Sequence, residues 1–104
     1  MVVEWLKINV SPELREQYIQ KDAEIWTTAL ARCPGFLGKE VWINPNEPSE
    51  IIMIIRWASR EHWKAIPTDY LDRTEQQLQQ SMGDTYQLTG EAEYQVRKFL
   101  EPRP

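Results

Sequence analysis

The segment IIMIIRWA, residues 51–58, constrains the fold more than any other stretch of the chain. Its apolar side chains fall on both parities of a strand: Ile51, Met53, Ile55 and Trp57 on one, and Ile52, Ile54 and Ala58 on the other. Successive side chains of a strand point to opposite faces of a sheet, so this strand needs cover on both faces. Because an antiparallel sheet usually leaves one face to water, we expect a second layer to cover that face here.

Three further segments carry strand patterns. They are VVEWLKINV, FLGKEVWIN and AEYQVRKFL, which alternate in parity or are rich in β-branched and aromatic residues. The polar stretch NPNEPSE, dense in turn formers, predicts a hairpin between FLGKEVWIN and IIMIIRWA.

Two regions carry helical patterns. The first begins at Ser11 and Pro12, runs through apolar residues at three- and four-residue spacings, and ends at Pro34-Gly35. In the second, Ser59 caps a short helix that Pro67 ends or bends, and TDYLDRTEQQLQQSMG resumes the helix up to Gly83. Gly90 is interpreted as a loop residue.

The predicted element order is βαββαβ. With short connections and right-handed crossovers, this order favours an α+β, ferredoxin-like fold, a four-stranded antiparallel sheet with helices on one face. The length of 104 residues fits a single domain over 1–104, and we expect 101–104 to form a frayed tail.

The other face of this sheet would be bare and apolar. Its expected side chains are Val3, Trp5, Phe36, Trp42, Ile52 and Ile54, a larger patch than a monomer usually exposes. We expect a second copy of the chain to cover it, giving a homodimer through the open sheet face.

Composition excludes several classes of partner. The net charge is -4, and the basic residues form no stripe that could neutralise phosphates, so we expect no nucleic-acid partner. No apolar run approaches the ~20 residues of a membrane span, and we expect a cytoplasmic protein that does not bind membranes. With one cysteine and one histidine, a metal site is not expected.

The segments CPGFLGKEVW and IIMIIRWASREHWKAI resemble the dimeric α/β-barrel superfamily that includes the antibiotic biosynthesis monooxygenase domains. The matching residues are Pro34, Gly35, Phe36, Trp57, Ser59, Glu61 and Trp63. The resemblance implies a dimeric α/β barrel and cofactor-independent oxygenation of small aromatic substrates, in which the deprotonated phenol itself supplies electrons to O2.

The same superfamily has a branch that binds and degrades haem. That branch uses an Asn on the first strand, the Trp at the end of the third strand and a more distant His as iron ligand. Only Trp57 lies where this pattern requires, since Asn9 is near the end of its strand and His62 follows Trp57 by five residues. Haem binding or degradation is therefore the less favoured function.

The candidate site residues surround the corner after the third strand. His62 is the candidate general base, because an imidazole titrates near neutral pH. The candidate ligand pocket, for a small aromatic molecule, consists of Trp57, Trp63, Tyr18, Trp26 and Tyr70. If Arg56 is buried, we expect it to pair with Glu40.

Each of these residues also has a structural interpretation. A histidine in the first turn of a helix is often a surface residue, and aromatic residues at these spacings often fill a core. Two functions therefore remain: an oxygenase with His62 as base, or a non-catalytic dimeric binding or stress-related module.

Overall fold

The computed structural model describes residues 1–102 and contains a four-stranded antiparallel sheet with helices on one face. The strands are β1 (Val2–Val10), β2 (Phe36–Asn44), β3 (Glu47–Trp57) and β4 (Tyr86–Gln95), in the sheet order β2-β3-β1-β4. The predicted ferredoxin-like arrangement is confirmed.

The helices follow the two predicted regions. The first region comprises a 3-10 turn (Pro12–Leu14), α1 (Arg15–Asp22), a π-helical turn (Ala23–Thr27) and α2 (Thr28–Ala31); the second comprises α3 (Arg60–Lys64) and α4 (Thr68–Met82). Pro12 occupies the first turn, where a missing N–H costs nothing, and Gly83 ends α4 with a φ of 62°. Among residues 1–102, no helix is long and apolar enough to cross a membrane.

Strand β3 is one of the two central strands, since it pairs with β1 on one side and β2 on the other. One face of β3 packs under the helices, with Ile51, Met53, Ile55 and Trp57 all buried. Two buried clusters form there, one around Tyr18, Met53 and Leu78 and one around Leu30, Ile55 and Trp57. The apolar segment IIMIIRWA, residues 51–58, is therefore central to the core.

The hairpin between β2 and β3 is tighter than the polar stretch suggested. Only Pro45 and Asn46 form the turn, and β3 begins at Glu47. The Asn44 side-chain oxygen accepts a hydrogen bond of 2.9 Å from the backbone N–H of Asn46, which closes the turn locally.

The predicted position of the last strand was wrong. β4 begins at Tyr86, well before AEYQVRKFL, because it pairs with β1 along the whole of that strand. Gly90 lies inside β4, beside a β-bulge, and is not a loop residue. A Cβ at Gly90 would approach the Trp5 ring to 3.3 Å, so glycine leaves room for this indole.

The sheet face without helices carries most of the predicted apolar residues. Those that lie there are Val3, Trp5, Trp42 and Ile52, whereas Ile54 on the same face is already buried by its neighbours. The prediction for Phe36 was wrong: a bulge between Phe36 and Gly38 reverses the parity, and Phe36 packs on the helix side.

The same open face carries polar pairs. Arg56 forms an ion pair with Glu40, as predicted, and Lys7 Nζ lies 3.2 Å from a Glu50 oxygen. At the C-terminal end, Glu101 and Pro102 belong to no helix or strand, and the rest of the predicted tail lies outside the described residues.

Candidate functional site

A cavity of about 480 Å³ lies between the helix-facing side of the sheet and the helices. It is lined by four of the predicted pocket residues, Tyr18, Trp26, Trp57 and Trp63. The sheet contributes an apolar floor from the two central strands, formed by Leu6, Ile8, Met53 and Ile55. This volume is within the ~300–1,000 Å³ range of small-molecule sites.

Trp57 ends β3 and is completely buried. Its indole packs edge-on against the Phe36 ring, with centroids 5.6 Å apart and planes at 75°. Within residues 1–102, its Nε1 is a buried donor without a hydrogen-bond partner. A buried N–H that lacks an acceptor costs about 1–3 kcal/mol.

The Trp57 indole N–H acts on the carboxyl of Glu4. Glu4 lies on β1, on the cavity side of the sheet. Burial raises the pKa of the Glu4 carboxyl, while the Trp57 N–H and two lysines, Lys64 and Lys39, act in the opposite direction. The indole N–H is thus close enough to Glu4 to lower its pKa, but it does not meet the geometric limits of a hydrogen bond.

Asp22 and Lys39 form a buried ion pair at the cavity wall. The Lys39 Nζ lies 2.5 Å from an Asp22 oxygen, and both side chains are at most 5% exposed. Burial raises the pKa of the Asp22 carboxyl more than the lysine lowers it. The pair fixes the end of α1 to the edge strand β2.

Glu75, on α4, is held by two donors. The Trp26 indole donates to one oxygen at 3.0 Å, and the Tyr86 hydroxyl donates to the other at 2.7 Å. The Tyr18 and Tyr86 rings lie 5.0 Å apart at the cavity wall, and burial raises the pKa of both phenols, helped by neighbouring carboxylates. Trp26 sits in the π-helical turn, a feature frequent at functional sites.

His62 does not line the cavity. It is exposed in the first turn of α3, where its backbone N–H donates to Ser59 Oγ at 3.1 Å and its Nδ1 lies 2.7 Å from the same oxygen. Its ring lies over Gly35, where an added Cβ would be 2.4 Å from the His62 side chain. Gly35 also has a φ of 85°, a backbone conformation that favours glycine. Both the contact with His62 and this φ therefore require glycine at position 35.

Tyr70 is also outside the cavity lining. Its hydroxyl donates a hydrogen bond of 2.7 Å to the backbone carbonyl of Ala29. It therefore connects α4 to α2.

The residues that the sequence analysis missed are the charged ones. Glu4 could have been predicted as a site residue, because it lies between Val2 and Leu6 on the side of β1 whose other residues are apolar. Asp22 and Lys39 are 17 positions apart, and no sequence pattern joined them. Among residues 1–102, no group of three or more His, Cys, Asp or Glu side chains is placed to hold a metal ion.

The sequence model of one family matches residues 1–66, and its description is antibiotic biosynthesis monooxygenase. The chain belongs to the antibiotic biosynthesis monooxygenase family. No curated protein sequence matches the chain. The match includes β1–β3 and therefore both Glu4 and Trp57.

Solved structures of antibiotic biosynthesis monooxygenases have the same fold. SnoaB, a cofactor-independent oxygenase from Streptomyces nogalater, superposes with a TM-score of 0.68 at 15% identity, over 97% of each chain. A monooxygenase from Streptomyces coelicolor, solved with the ligand nanaomycin D, gives 0.72 at 14% identity, over 98% of this chain and 92% of that one. Proteins of this family are generally dimeric.

Proposed function

We propose that the cavity binds a small hydroxylated aromatic molecule and that the protein catalyses its oxygenation without a cofactor. The observation that carries this proposal is the cavity itself, about 480 Å³ with an apolar floor and three tryptophans in its walls. Aromatic side chains around an apolar slot favour a flat, aromatic ligand. The family supports the reaction class, since one similar structure is that of a cofactor-independent oxygenase.

The proposed reaction balances with the substrate and dioxygen alone. A phenol such as 1-naphthol loses its hydroxyl proton, and the electron-rich ring then reduces O2. One oxygen atom replaces hydrogen on a ring carbon as a second carbonyl, and the other leaves as water. The protein has to bind and orient the phenol, accept its proton and limit the access of water.

Oxygen uptake with 1-naphthol tests this function. We expect uptake with formation of the quinone by the wild-type protein, and its loss in Ile66→Trp, which adds an indole at a residue lining the cavity. The matched control is Ile43→Trp, because Ile43 is exposed on β2 and outside the cavity lining. Equal activity in the two variants would contradict the proposed location of the site.

A non-catalytic binding module is the second candidate. It is favoured by the position of His62, because the only histidine of the chain lies outside the cavity lining. This candidate predicts that 1-naphthol binds in calorimetry, that Ile66→Trp prevents binding, and that no oxygen is consumed.

We also propose that the open sheet face forms a homodimer. Trp42 and Tyr94 are 46% and 60% exposed there, beside the half-buried Trp5 and Ile52. Two copies placed sheet to sheet would bury these rings in the way that a two-layer domain buries its core.

Light scattering after size exclusion tests the dimer. We expect a dimer for the wild-type protein and a monomer for Trp42→Glu, which places a charge in the proposed interface. Ile43→Glu is the matched control, since Ile43 is similarly exposed but points to the other face of the same strand. A monomeric wild type, or equal dissociation of both variants, would contradict the proposal.

A further inference from the structure

We propose that Glu4 is the catalytic base, the group that accepts the hydroxyl proton of a phenol bound in the cavity. This inference rests on the proposed function and names the residue that the proposed chemistry requires. Glu4 lies on β1 between the two neighbouring strands β3 and β4, and it faces the cavity.

The other carboxylates at the cavity are already engaged. Asp22 is paired with Lys39, and Glu75 accepts from two side-chain donors. Among residues 1–102, Glu4 is in no ion pair, and the Trp57 indole N–H is the donor that acts on its carboxyl. It is therefore the cavity carboxylate whose oxygens are available to a ligand.

Trp57 is the positioning residue for this base. Its buried N–H has no acceptor within residues 1–102, yet it is near enough to lower the pKa of Glu4. A hydrogen bond from the indole N–H would occupy one carboxylate oxygen of Glu4. The second oxygen would then be left for the ligand hydroxyl, and the buried donor would be satisfied.

The surroundings suit proton acceptance. Burial raises the pKa of the Glu4 carboxyl, which makes the carboxylate a stronger base than a solvated glutamate. The charged groups that act on it are Lys64 and Lys39, which lower the pKa, and Glu91, which raises it; Glu93 is its cross-strand neighbour on β4. The ligand O–H bond breaks, a carboxyl O–H bond forms, and the electron pair stays on the phenolate oxygen.

The charges of the cavity also indicate which form of the ligand enters. Three carboxylates line it, those of Glu4, Asp22 and Glu75, against the single ammonium of Lys39. This excess of negative charge disfavours an anion that arrives from solvent. The ligand class is therefore a neutral phenol, deprotonated only after it is bound.

Titration of bound 4-nitrophenol tests the contact between Glu4 and the ligand hydroxyl, without turnover. In the wild-type protein a carboxylate beside the hydroxyl disfavours the phenolate, so the apparent pKa of the bound probe should exceed that in Glu4→Gln by about one to three units. The phenolate absorption band reports this value. Glu91→Gln, which removes an exposed carboxylate near Glu4 but outside the cavity lining, is the matched control and should resemble the wild type.

Equal probe pKa values in the wild type and Glu4→Gln would overturn the assignment of Glu4, as would failure of the wild type to bind the probe. The shorter Glu4→Asp variant keeps the carboxylate and is expected to retain part of the shift. Saturable binding of the probe by Glu4→Gln shows that this variant is folded, so loss of folding cannot imitate the result.

Kinetics separate this proposal from the proposed function. With 1-naphthol, we expect Glu4→Gln to lower kcat by about a hundredfold or more while KM changes little. If the wild type shows the probe shift but consumes no oxygen, the oxygenase function fails and the contact of Glu4 with the phenol stands. If the wild type consumes oxygen and Glu4→Gln does so at the same rate, the function stands and Glu4 is not the base.

Discussion

At the level of single residues, the cavity walls contain ionisable groups that reduce the stability of the fold. Burial disfavours the charged forms of Glu4 and Asp22 and raises the pKa of both carboxyls. A group whose pKa is higher in the folded state favours folding at low pH. As the pH rises through that pKa, this contribution to the free energy of unfolding is lost.

Glu4→Gln should therefore be more stable than the wild type at neutral and alkaline pH. The difference should shrink as the pH falls through the raised pKa of the folded state and should be absent below ~4.3, the ordinary pKa of a glutamate, because the wild-type carboxyl is then protonated in both states. Thermal unfolding across pH 3–8 measures it, with the exposed Asp72→Asn as control. A Glu4→Gln variant that is less stable than the wild type at pH 8 would show that the ionised carboxylate stabilises the fold.

Lys39→Met tests the buried ion pair. It leaves Asp22 buried without its counter-ion, and we expect a loss of about 3–5 kcal/mol in the free energy of unfolding at neutral pH. The double variant Asp22→Leu with Lys39→Met removes both charges and should recover much of this loss. A double variant no more stable than Lys39→Met, in denaturant titrations, would argue against the unpaired charge as the cause.

At the level of elements, sequence patterns predicted the kinds of element and their order but not every boundary. β1 and β2 have the predicted bounds, whereas β3 begins at Glu47, before IIMIIRWA, and β4 begins at Tyr86, before AEYQVRKFL. The face of Phe36 was not predictable, because a bulge after it interrupts the period of two.

The residues that line the candidate site were predictable to a similar extent. Tyr18, Trp26, Trp57 and Trp63 follow helix or strand periodicity, so their inward direction could be read from spacing. The polar contacts could not, because they join residues as far apart as Trp26 and Glu75, 49 positions along the chain. Such pairs depend on how the helices cross the sheet.

The short helix α3 carries Trp63 to the cavity, and its N-cap is Ser59. Ser59→Ala removes the acceptor of the His62 backbone N–H and should cost about 1 kcal/mol of stability, with weaker binding of 1-naphthol. Ser81→Ala, at an exposed position near the end of α4, is the matched control. Unfolding midpoints and calorimetry measure both effects, and unchanged values for Ser59→Ala would contradict the role of the cap.

At the level of the whole molecule, the helices cover one face of the sheet, and the proposed second copy would cover the other. One face packs under the helices and encloses the cavity, while the other exposes Trp42 and Tyr94. The doubly apolar strand β3 is explained when both faces are covered, which is the reason for the proposed homodimer.

Dimerisation predicts a stability that depends on protein concentration. The wild-type Tm should rise over a hundredfold increase in concentration, because association favours the folded state by mass action. The Tm of Trp42→Glu should stay constant, and that of Ile43→Glu should follow the wild type. A wild-type Tm independent of concentration would contradict the proposed dimer.

The indole N–H resonances of the five tryptophans test the central claim most directly, because they report from both faces of the sheet. Trp26, Trp57 and Trp63 line the cavity, whereas Trp5 and Trp42 lie on the open face. On titration of ¹⁵N-labelled protein with 1-naphthol, the three cavity signals should shift together and saturate, and the other two should not move. Shifts confined to Trp5 and Trp42, or no shift in any signal, would contradict an aromatic binding site between the helices and the sheet.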